Sequence, residues 1–118
     1  MKEELPGEEN LEGRIAELIR ERGLNDPEVR ELITQWTMRR EAVVGRNRVD
    51  SIQFNIDRAN VFLAAGEVDT ALEDLFDAAW NADNERGTKS SEAEECGRLY
   101  TEIKNKIDRI KKENGIEE

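Results

Sequence analysis

Histidine is absent from the 118 residues, and cysteine occurs once, at Cys96. Without histidine there is no serine–histidine–aspartate or cysteine–histidine pair, no metal-binding helix with paired histidines, and none of the glutamate–histidine motifs that build di-metal sites in ferritin-like bundles. A lone cysteine closes no intrachain disulfide, and the usual zinc ligand combinations are missing with it. No glycine-rich phosphate-cradling run occurs; the eight glycines fall mostly at the ends of periodic segments. No apolar stretch approaches the roughly 20 residues that span a bilayer, and Met1–Leu5 opens on acids where a leader would carry bases. The chain therefore reads as a cytoplasmic protein with no cofactor and no membrane partner.

Charge is plentiful but one-sided. Charged residues make up 39% of the chain and the formal net charge is −10. Such a molecule repels phosphate backbones and anionic membranes, so nucleic acid is disfavoured as a partner and a basic protein is favoured. The imbalance is local: residues 59–95 carry a net −8, whereas residues 36–58 carry +2.

Apolar residues are periodic, which predicts folding into one all-α domain over 10–114, a bundle of four to five helices with a central antiparallel hairpin. Acidic residues 1–9 read as a disordered tail and 115–118 as a frayed one. Asn10 is placed to cap a helix carrying Leu11, Ile15, Leu18 and Ile19, stopped by Gly23. Asp26-Pro27-Glu28 starts a second helix with Val29, Leu32, Ile33 and Trp36 on its apolar face, ending near Gly45. From about Val49, a stripe of Ile52, Ile56, Ala59, Phe62 and Leu63 runs to Gly66, and a further stripe runs from Val68 to Ala82. The link is short enough only for a helical hairpin. Phe54 and Val61 on the first helix, and Phe76 and Trp80 on the second, lie away from these stripes, so both helices are expected to bury two faces. A loop over 84–89 precedes a last helix, for which Ser91 and Glu94 have the reciprocal capping spacing. Cys96, Tyr100, Ile103, Ile107 and Ile110 form its seam, and Asn114-Gly115 ends it.

Within the hairpin, Ala59, Phe62, Gly66, Ala71, Leu75 and Ala78 stand at the small, aromatic, glycine, alanine, bulky and alanine positions of one tetratricopeptide repeat, and residues 52–84 resemble a single degenerate copy. Asn55, Arg58 and Asp83 depart from the family's tryptophan, leucine and proline. The resemblance implies a module that binds another protein.

The candidate partner-binding residues are Glu73, Phe76, Asp77, Trp80 and Asp83, an aromatic pair four apart within acid, suited to a basic amphipathic partner. The competing expectation, preferred on packing grounds, is that the last helix covers the pair and buries Trp80 beside Tyr100 or Ile103. Acidic residues three apart, Glu28 with Glu31, Asp74 with Asp77 and Glu92 with Glu95, raise the alternative of a metal-dependent all-α hydrolase. Trp36 with Arg39, Arg40, Arg46 and Arg48 has the ingredients of a weak nucleic acid patch, although pairing of these arginines with acidic segments is the simpler reading. Cys96 reads as a core residue with no base to activate it. The leading expectation is a non-catalytic interaction module, an adaptor or regulator meeting a basic segment. A nucleic-acid-mimicking inhibitor, and a homodimer joined through Phe54 and Trp80, are the further alternatives.

Overall fold

The computed structural model describes residues 8–44 and 48–116 and is all-α. Five helices follow in chain order: α1 (Glu8–Arg22), α2 (Pro27–Val44), α3 (Arg48–Ala64), α4 (Val68–Arg86) and α5 (Ala93–Glu113). No strand occurs among the described residues. Helix α1 begins at Glu8, ahead of the expected cap at Asn10, so Glu8 and Glu9 are helical and not part of a tail. The expected end of α2 at Gly45 lies outside the described residues.

Three of the turns are closed by glycines in the left-handed region, which costs a residue with a Cβ but not glycine. Gly23 (φ 87°) ends α1, its N–H donating to the Ile19 carbonyl at 2.7 Å. Gly66 (φ 84°) closes the hairpin: Glu67 N–H donates to Phe62 and Gly66 N–H to Leu63, the paired bonds that satisfy the last carbonyls of a helix. Gly115 (φ 65°) repeats the pattern after α5, with Ile116 N–H donating to the Lys111 carbonyl. At the start of α2 the Asp26 carboxylate accepts the N–H groups of Glu28 and Val29 at 3.0 and 3.1 Å, the cap its sequence predicts.

Helix α3 is the hub. It packs closely on α4 and also meets α1, α2 and α5, while α5 packs mainly on α4. Being surrounded explains why α3 buries Ile52, Phe54, Ile56, Ala59, Val61 and Phe62 around most of its circumference. Phe54, on the second face that α3 was expected to bury, lies under α2, edge-on to the Trp36 ring at a centroid distance of 5.2 Å. A homodimer through Phe54 is therefore closed off.

Helix α4 behaves differently from the expected two-faced element. Its buried residues, Ala71, Leu72, Asp74, Leu75, Ala78, Ala79 and Ala82, occupy one arc of roughly 160° at about 100° per residue. Four of the seven are alanines, whose small side chains let α3 and α5 approach on that arc. The opposite arc stays uncovered.

Two further expectations fail at the α4–α5 connection. Helix α4 continues through residues 84–86, and the Ser91–Glu94 box does not form, because α5 starts at Ala93 with Glu92 as its cap residue. Ser90 Oγ accepts the Glu92 N–H instead. Leu99 takes the buried seam position and Tyr100 lies at the edge, the Arg86 guanidinium 4.1 Å above its ring. The extents of 49 × 36 × 19 Å show a flat molecule, about two helix diameters thick.

Candidate functional site

Helix α4 presents the candidate surface. Trp80 is 70% exposed and Phe76 47% exposed, so α5 leaves them open and the expected burial of Trp80 beside Tyr100 or Ile103 does not occur. Residues four apart lie one helical turn apart on the same face, and Phe76 and Trp80 accordingly form one continuous apolar ridge. Glu73, Asp77 and Asp83 are exposed around it, which brings all five residues singled out in the sequence onto one surface.

The carboxylates of that surface are not equivalent. Asp83 is held by Arg86, which donates from Nε at 2.7 Å. Glu73 and Asp77 form no ion pair or side-chain hydrogen bond among the described residues, and neither does Asp69. Sequence reasoning missed Asp69, although its position four residues before Glu73 places it in the same row. It also missed a cation contributed by another helix: Lys111 Nζ from α5 lies 5.6 Å from the centroid of the Phe76 ring. Only folding brings residues 76 and 111 together.

Elsewhere the acids are engaged. Asp74, buried within α4, receives a two-pronged grip from Arg58 of α3, Nε to Oδ2 at 2.9 Å and Nη2 to Oδ1 at 2.8 Å. Planar guanidinium and carboxylate match in this geometry, which fixes the register of α3 on α4. Arg58 thus has a buried partner on the neighbouring helix. Of the other three-apart pairs, Glu28 pairs with Arg22, Glu95 with Arg98, and Glu92 caps α3. No group of three or more histidine, cysteine or acidic residues able to hold a metal ion occurs among the described residues.

Within the arginine-rich stretch Trp36 is turned inward, whereas Arg39 is exposed. Trp36 is 1% exposed and cannot stack on a base. Arg40 pairs with Asp57 at 3.0 Å and Arg48 lies 3.8 Å from Glu85, the internal pairing anticipated for this segment; Arg46 lies outside the described residues. Cys96 is buried, and burial, aided by the carboxylates of Glu85 and Glu92, pushes its thiol above the ordinary range, away from the thiolate a nucleophile needs. No helix among the described residues is long and apolar enough to cross a membrane.

Comparison with protein-family models, with curated proteins and with solved structures finds no match for this chain.

Proposed function

We propose that the chain is a non-catalytic interaction module, an adaptor or regulator acting in the cytoplasm, whose α4 surface binds a basic segment of another protein. The observation that carries this reading is the exposure of Phe76 and Trp80 on a helix face whose carboxylates Asp69, Glu73 and Asp77 have no ion-pair or side-chain hydrogen-bond partner among the described residues. Leaving a tryptophan in water forgoes roughly 1.5–3 kcal/mol of burial, of the order obtained for a large apolar side chain. Aromatic anchors within a polar rim are the usual source of binding energy at protein interfaces. The rim is negative, so the complementary partner is positive. The resemblance of residues 52–84 to a tetratricopeptide hairpin supports the same class of function. The aromatic pair favours a protein anchor over nucleic acid mimicry, which needs the carboxylates alone.

The test is a titration of the full chain with a lysine- and leucine-containing peptide, followed by tryptophan emission. Binding should shift the emission of the wild type, vanish from the signal in Trp80→Phe, weaken with added salt, and fall several-fold in the Glu73→Gln/Asp77→Asn variant. Affinity unchanged by salt and by that variant would refute the reading.

A further inference from the structure

The partner's conformation follows from the way side chains are ranked on α4. We propose that α4 receives a basic amphipathic helix, seated in the furrow between a row of carboxylates and a row of aromatics. This rests on the α4 face being the docking surface.

Residues four apart on a helix form ridges inclined about 26° to its axis, and the furrow between two such ridges accepts a ridge of a second helix crossing near −50°. Asp69, Glu73 and Asp77 make one exposed row, and Phe76, Trp80 and Asn84 make the next. Successive members of a row rise by about 6 Å. A partner helix repeats at the same interval, so cations at i, i+4 and i+8 meet consecutive carboxylates, while aliphatic residues at i+3 and i+7 fall on Phe76 and Trp80. Lys111 already stands beside Phe76 from α5, 5.6 Å from the ring centroid, so the aromatic row tolerates a neighbouring cation.

An extended segment fits less well for a backbone reason. No strand edge exists among the described residues to accept its N–H and C=O groups, and these would be pressed unpaired against a helix surface. A helix arrives with its backbone bonds already made. A second copy of this chain is disfavoured by sign, because α4 against α4 would bring two carboxylate rows to one interface.

Three peptides of identical composition and net charge test the proposal against the full chain, read by the emission of Trp80 and by peptide circular dichroism. The first carries lysine at i, i+4 and i+8 with leucine at i+3 and i+7. A second has these residues permuted so that no row forms. In the third, the first pattern is kept but a central residue is exchanged with proline from the terminus. The row-matched peptide should bind at least about tenfold more tightly than either other and gain helical signal on binding, and Asp69→Asn/Glu73→Gln/Asp77→Asn should erase its advantage. Equal affinities for all three would overturn the helical partner while leaving a basic segment standing. No binding by any of them would remove both. Sedimentation of the chain alone as a dimer with Trp80 shielded would overturn the proposal in favour of a second copy.

Discussion

The Glu92 carboxylate, just ahead of α5, accepts the backbone N–H of Val49 at 2.9 Å and that of Arg48 at 3.3 Å, at the first turn of α3. One side chain thus caps a helix 43 residues earlier in the chain. The first N–H groups of a helix have no intrahelical acceptor, and a negative charge there also suits the helix dipole. The contact closes the α3–α4–α5 unit at the end remote from Gly66. Replacing Glu92 with alanine should cost about 1–2 kcal/mol in urea unfolding, the usual value of a lost cap. Glu94→Ala, which removes the carboxylate of the unformed box, should cost less than about 0.5 kcal/mol. Equal losses would contradict the assignment.

Arg58 and Asp74 should behave as a coupled pair. Removing one leaves the other charged and largely shielded from water, for which about 3–5 kcal/mol is usual at a fully buried site. The partial exposure of Arg58 reduces the expectation to roughly 2–3 kcal/mol for Arg58→Leu. Arg58→Leu/Asp74→Leu should recover most of that loss, since apolar pairs of similar volume replace such bridges well. A double-mutant cycle with no coupling would show that the contact contributes little.

Glycines at two positions should respond in opposite directions. Gly66 has φ 84°, and alanine there should cost about 1–2 kcal/mol although open space surrounds the position. Gly97 lies inside α5, where an added Cβ would meet the Arg86 Cβ at an ordinary 3.7 Å. Gly97→Ala should therefore raise stability by about 0.5–1 kcal/mol through helix propensity. Thermal melts of the two variants check both signs.

Cys96 should resist alkylation in the native protein and react once urea unfolds it. Its folded thiol titrates above the ordinary 9.0, so the folded state holds the proton that the unfolded state releases. The associated stabilisation is complete below pH 9.0 and is lost as pH rises through the folded value. Cys96→Ala should flatten the alkaline limb of a stability–pH profile relative to the wild type.

Trp36 is buried with its indole N–H unpaired among the described residues. Phenylalanine removes that unsatisfied donor while keeping most of the ring, so Trp36→Phe should change stability by less than about 1.5 kcal/mol, whereas Trp36→Ala should cost about 3–5 kcal/mol. Chemical denaturation of both variants measures the difference.

The sequence by itself determined what depends on neighbours along the chain. Helix periodicity, the Asp26 cap and the glycine stops at 23, 66 and 115 are local, because a helix bonds to itself within four residues and glycine alone enters the left-handed region cheaply. The five residues of the α4 surface were legible for the same reason, as they share one helix. Tertiary structure decided which apolar residues stay in water. Phe54 and Phe76 both lie off their helices' main stripes, yet Phe54 is covered by α2 while Phe76 is left to solvent. The difference is set by how many neighbours each helix has: α3 is surrounded, whereas the alanines of α4 gather its neighbours onto one arc. Partners distant in the chain, Glu92 with Val49 and Lys111 with Phe76, belong to that second category, since a carboxylate or an ammonium carries no local sign of the group it will meet.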